Sequence, residues 1–190
     1  MSIRRKRRKV AWAITGSGDK LAETIAVMNN IKHRYRSKVD IWVYLSKAGE
    51  LVLKWYRLDD ELRRSFDRVM VETSANQPFL AGDLQLGKFE FLLIAPASSN
   101  TVAKLVVGIA DTLVTNSAIM ALKGSVPVFV MPSDHKEGET QTRLPNGKNF
   151  KLTVRREDAE NTRKLARLQG VSVVQEPQRI IDLFAKHYSS

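Results

Sequence analysis

The sequence predicts an α/β fold: one doubly wound, mostly parallel sheet between two helical layers, a Rossmann-like three-layer sandwich with a small projecting hairpin. Three observations predict it. Strand-like and helix-periodic segments alternate along the chain. Phe91–Ala95 and Val126–Met131 are continuous apolar runs, as expected for strands buried on both faces of a parallel sheet. Small, polar turns follow the strands, where the ligand crevice of such a sheet lies.

The elements follow in order. Lys9–Ile14 is β-rich and ends in the small-residue turn Thr15-Gly16-Ser17-Gly18, so it reads as a first strand and its loop. From Asp19 to about Arg36, Leu21, Ala22, Ile25, Ala26 and Met28 recur at helical spacing, with Asp19 placed to cap the first turn. Val39–Leu45 alternates through Ile41, Val43 and Leu45 before a second polar turn, Ser46-Lys47-Ala48-Gly49. Leu58–Val69 opens with three acidic residues, as helices do, and Val69–Thr73 reads as a short third strand.

The buried strand Phe91–Ala95 is stopped by Pro96; helices are expected over Thr101–Ala110 and Asn116–Lys123, with the next buried strand at Val126–Met131. Leu144-Pro145-Asn146-Gly147 is strong turn chemistry and predicts a hairpin between Glu139 and Val154. A helix through Ala159, Thr162, Leu165 and Ala166 stops near Gly170. A last strand, Val171–Val174, and a C-terminal helix through Ile180, Ile181 and Phe184 complete a sheet of about five or six strands. The expected organisation is a basic tail over 1–9 and a single domain over 10–190.

Composition narrows the function. The 190 residues, 43% hydrophobic and 27% charged, match a folded soluble domain. No apolar run approaches the roughly 20 residues that span a bilayer, and no signal-peptide core follows the basic N-terminus, so a cytoplasmic location is expected. With no cysteine, the chain has neither disulfides, thiolate nucleophiles nor an iron–sulfur cluster of its own. A net charge of +11, part of it in Arg4–Lys9, favours an anionic partner, nucleic acid or an acidic protein; a solvated tail that only aids solubility is the other reading of the basic run. His33, His135 and His187 have no neighbours at metal-ligand spacing, so no metal is expected. Trp12, Trp42, Trp55 and Tyr56 are read as core aromatics, and Asp134 as an acidic turn residue.

Two turns carry the chemistry. Thr15–Gly18 lies between a strand and a helix N-terminus, where backbone N–H groups and the positive dipole end favour a phosphate; a plain tight turn is the other reading. Pro96-Ala97-Ser98-Ser99-Asn100-Thr101 crowds four polar side chains into a turn that opens a helix, which is either a binding turn or a helix start capped by Asn100 or Thr101.

Pro96–Thr101, with Lys104 and Ala110-Asp111 downstream, resembles the Pro-Ala-Ser-Ala-Asn-Thr signature of FMN-binding proteins related to the flavin-dependent cysteine decarboxylases. The similarity runs from Lys9 to about Asp134. It implies FMN, with the phosphate at Thr15, Gly16, Ser17, Gly18 and Ser46, Lys47 beside them, and the flavin ring near Pro96, Ala97, Ser98, Ser99, Asn100 and Thr101. It also implies homo-oligomers with flavin sites near subunit contacts. The decarboxylase hallmarks are missing: Gly82–Gly87 holds no His, and the family's Pro-x-Met-Asn stretch reads Pro132-Ser133-Asp134-His135. What remains, including the opening Ala11–Asp19, is similar to the archaeoflavoprotein branch near the dihydromethanopterin reductases. That resemblance implies redox chemistry without a catalytic acid or base, electrons from an iron–sulfur protein such as ferredoxin, and a pterin as one candidate acceptor. A decarboxylase or prenyltransferase of the same superfamily is the alternative within the family; a basic nucleic-acid-binding domain is the alternative outside it.

Overall fold

A computed structural model describes residues 7–189. The N-terminal half lays down β1 (Arg8–Ile14), α1 (Leu21–Arg34), β2 (Val39–Leu45), α2 (Lys47–Trp55), α3 (Asp59–Ser65), β3 (Val69–Val71) and α4 (Leu80–Gln85). The second half contributes β4 (Leu92–Ala97), α5 (Ser99–Val107), α6 (Leu113–Lys123), β5 (Val128–Pro132), β6 (Gly138–Arg143), β7 (Asn149–Val154), α7 (Arg156–Leu165), β8 (Val171–Val173) and α8 (Pro177–Tyr188). Six strands pair in the order β3-β2-β1-β4-β5-β8, every pairing parallel, and β6 and β7 form a separate antiparallel hairpin.

Alternation along the strands builds two cores. Val10, Trp12 and Ile14 of β1 face one way, with Phe91, Leu93, Ile25, Met28 and Phe184. Ala11 and Ala13 face the other, with Leu92, Ile94, Leu113 and Ala118. Central strands so placed are buried on both sides, and β4 is buried at every position. Both edge strands are only three residues long, which limits pairing with other chains.

Chain order runs outward from β1 through β2 to β3, then returns to β4 on the other side of β1. The switch point therefore lies between the C-terminal ends of β1 and β4. There β4 is irregular, its register shifting between Ile94 and Ala97. Pro96 has no N–H for the ladder, so it belongs at such an irregularity. The freed carbonyls are used at once: Ala95 accepts from the buried Trp12 indole at 2.7 Å, and Pro96 accepts from the Thr15 backbone N–H at 3.2 Å.

Several expectations change. The Ser46–Gly49 turn is the cap and first turn of α2, a helix missed because it is short and carries Gly49 near its start. α4 was not expected either. The helices expected from Thr101 and Asn116 begin earlier, at Ser99 and Leu113. Arg8 and Lys9 are the first residues of β1 rather than tail, with Arg8 facing Glu90 and Lys9 lying over the Trp42 ring; residues 4–6 of the basic run lie outside the described part. Trp55 is not core: it is 63% exposed on α2.

Candidate functional site

The turns after β1 and β4 are sewn together at the switch point. Thr15 Oγ1 donates to the Pro96 carbonyl at 3.0 Å and accepts from the Ser98 N–H at 2.8 Å, so this buried side chain is fully used inside the protein. The loop after β5 joins them. Ser133 Oγ is hydrogen-bonded to Ser17 Oγ at 2.5 Å and lies 3.3 Å from the Ala97 carbonyl oxygen. The Ser133 N–H bonds the Ala97 carbonyl at 2.9 Å, and Ser99 donates to the Asp134 carboxylate. Ser46 reaches the group through its N–H, which bonds the Ile14 carbonyl at 3.0 Å. Of the sequence-predicted residues, Thr15–Gly18, Ser46 and Pro96–Thr101 thus converge on one crevice, while the Lys47 and Asn100 side chains are exposed at its rim.

Glycine is required here for packing. A Cβ on Gly16 would lie 2.7 Å from the Ala48 Cβ, one on Gly18 would lie 2.4 Å from the Tyr56 ring, and one on Gly49 would lie 2.5 Å from the Ile14 carbonyl oxygen. The first two seat α2 against the β1 loop, and the third seats it against β1 itself. The Gly16 side of the loop is therefore filled by α2 rather than open to a ligand.

The helices that start in this region differ in how their ends are closed. Ser46 caps α2 by accepting from Gly49 N–H at 2.9 Å. Ser98, not Asn100 or Thr101, caps α5. Thr112 and Thr115 form a reciprocal capping box on α6. α1 has none of this. Its N-cap position is Lys20, in the left-handed region at φ 54°, and no side chain caps the helix. Asp19, expected as the cap, instead gives its backbone N–H to Ser17 Oγ at 3.3 Å. The N–H groups of Ala22 and Glu23 find no acceptor among the described residues. An uncapped helix start beside a glycine loop and a serine hydroxyl has the donors and the dipole for an anion.

Carboxylates surround the rest of the crevice. Burial raises Asp19 above its ordinary value, with nearby Asp134 adding to the rise against the opposing pull of Lys20. Sequence reasoning missed Glu72 altogether. This buried residue follows β3, and its carboxylate accepts from the first N–H of α2, at Lys47 (3.1 Å), and from the first N–H of α6, at Leu113 (2.9 Å).

Other candidates fall away. Among the described residues no group of His, Cys, Asp and Glu could hold a metal ion, and no helix is long and apolar enough to cross a membrane. His33 and His135 are exposed, and His187 packs against Phe91 with its ring centroid 5.1 Å away. Tyr56, of the four aromatics, lines a cleft. That cleft is about 660 Å³, between the start of α1 and the β6–β7 hairpin, and there the Tyr56 hydroxyl donates to the Arg143 carbonyl at 2.8 Å.

The chain is similar to known proteins in sequence and fold. The chain is 46% identical to an uncharacterized protein of Methanocaldococcus jannaschii over 94% of its own length and 95% of the relative's. It is 32% identical to the dihydromethanopterin reductase (acceptor) of the same organism, over 93% and 95% of the two chains. Among solved structures, DmrB of Burkholderia xenovorans in complex with FMN, a cubic protein cage for redox transfer, superposes with a TM-score of 0.81 at 32% identity, covering 97% of each chain. A dodecameric FMN-dependent UbiX-like decarboxylase of Escherichia coli O157:H7 shares the fold, at 16% identity and a TM-score of 0.67. The Flavoprotein family model matches residues 2–187, and the chain belongs to that family.

Proposed function

We propose that this chain is an FMN-binding redox flavoprotein whose cofactor lies along the switch-point crevice, with its phosphate at the open start of α1. One observation carries the placement: α1 starts directly after the Thr15–Gly18 turn with no side-chain cap, whereas α2, α5 and α6, which start at the neighbouring loops, are closed by side chains. The residues present fit the group. Gly18, Ser17 and the first turn of α1 offer donors to a phosphate, Ser46 and Lys47 border them, and Pro96–Thr101 form the wall for the ring. FMN, when bound, supplies the electron-accepting and electron-donating chemistry. The chain's own part is to hold it, to keep the three loops rigid, and to set the charge around it.

A pterin is the acceptor, by likeness to proteins named dihydromethanopterin reductase (acceptor). An iron–sulfur protein such as ferredoxin is the donor, because a cysteine-free chain relays no electrons through a cluster of its own. The charge of +11 suits docking to an acidic carrier. The working form is a homo-oligomer in the cytoplasm, as the cage formed by DmrB suggests for assembly. Decarboxylation is not expected, since Gly82–Gly87 and the Pro132–His135 loop supply neither the His nor the Asn that it needs.

Two measurements test this reading. Heat-denatured protein should release FMN at about one per subunit. Under anaerobic conditions, reduction of the bound flavin by reduced ferredoxin should slow by 10-fold or more between about 20 and 300 mM salt, as the Debye length falls from roughly 20 to 6 Å. A chain that neither carries nor takes up FMN, or a rate indifferent to salt, contradicts it.

A further inference from the structure

Glu72 is a buried carboxylate with no cation beside it among the described residues; its oxygens are held by two backbone N–H groups instead. Those groups are the first of α2 and the first of α6, so the negative charge rests on two positive helix ends at once. The Glu72 backbone N–H is bonded to Leu45, the last residue of β2, at 2.8 Å. This one residue therefore fixes the end of β2, the start of α2 and the start of α6 relative to each other.

Ser46 lies between two of these anchors. Its backbone N–H is bonded to Ile14, its hydroxyl caps α2, and the next residue, Lys47, donates to Glu72. Nothing else among the described residues holds the Lys47 N–H. Glu72 thus already fills the anion position at the start of α2.

We propose that Glu72 is a positioning residue that holds the Ser46–Lys47 turn in the orientation serving the phosphate end of the flavin. The proposal rests on the FMN reading above. It predicts that Glu72 acts on phosphate recognition and leaves recognition of the ring system unchanged.

The experiment titrates apoprotein with FMN and with riboflavin, which lacks the phosphate, for wild type and Glu72→Gln. Wild type should prefer FMN. Glu72→Gln should bind FMN about 10-fold or more weakly, while riboflavin affinity changes less than about 2-fold. A second variant covers the case in which Glu72→Gln does not fold. Lys47→Pro removes the N–H that Glu72 accepts together with the lysine side chain, at the first helical position, where proline is tolerated and Ser46 is already extended. Compared with Lys47→Ala, which loses the same side chain but keeps the N–H, it should show the same selective loss of FMN. Equal losses for FMN and riboflavin, or no loss, would overturn the proposal. Wild type that binds neither flavin would instead overturn the FMN reading.

Discussion

The start of α1 and the starts of α2, α5 and α6 face the same problem, four backbone N–H groups without helical partners, and meet it in opposite ways. The three later helices are closed from within, by Ser46 and Glu72, by Ser98, and by Thr112, Thr115 and Glu72. α1 is left open, with a left-handed lysine where a cap would sit. Capping is worth roughly 1 kcal/mol. α3, α4, α7 and α8 also lack a side-chain cap, but α1 is the helix whose open start directly follows the glycine turn at the switch point of the sheet.

The comparison can be broken most severely at the seat of α2. Gly49→Ala would place a methyl group 2.5 Å from the Ile14 carbonyl oxygen, a backbone atom that cannot swing aside. It should lower stability by on the order of 3 kcal/mol in denaturant titration and loosen the Ser46 turn with it. A value near zero would mean that α2 shifts freely and that its position does not define the crevice.

Capping variants sharpen the contrast. Ser98→Ala removes the α5 cap and should cost about 1 kcal/mol. Lys20→Gly at the corresponding place on α1 loses no cap and relieves a left-handed backbone, so the apoprotein should gain a few tenths of a kcal/mol up to about 1. Equal losses at the two helices, measured side by side, would contradict the distinction.

Much of this architecture is legible in the residues. Continuous apolar runs marked the central strands, and the glycine- and serine-rich turns marked the crevice, because backbone chemistry allows few other residues there. Less visible was what depends on contact between distant segments. Glu72 reads in sequence as an ordinary acid after a weak strand; only the meeting of two helix starts from elsewhere in the chain gives it a role. Trp55 sits next to buried residues in sequence but on the outer side of α2, and the sequence does not show that α2 presents that side outward. Asp19 has the chemistry of a cap, yet the Ser17 hydroxyl takes its N–H and the helix starts two residues later.

The smallest effect concerns that aspartate. Burial raises its pKa above the ordinary 3.8, so ionisation costs folding free energy. The sign follows: below the ordinary value Asp19 is neutral in both folded and unfolded chains and carries no penalty, and the penalty grows as pH rises through the raised value. Asp19→Asn should therefore increase Tm at pH 7, by a gain that shrinks as pH falls toward 3.8. A gain that is independent of pH would mean the effect is not one of charge.

The most direct measurement of the central claim is a crystal structure of this chain with FMN bound. The account predicts phosphate oxygens within about 3.2 Å of backbone N–H groups between Ser17 and Glu23, with the Glu72 carboxylate still holding Lys47 and Leu113. A phosphate seated on the first turn of α5 or α6, with α1 left empty, would contradict it.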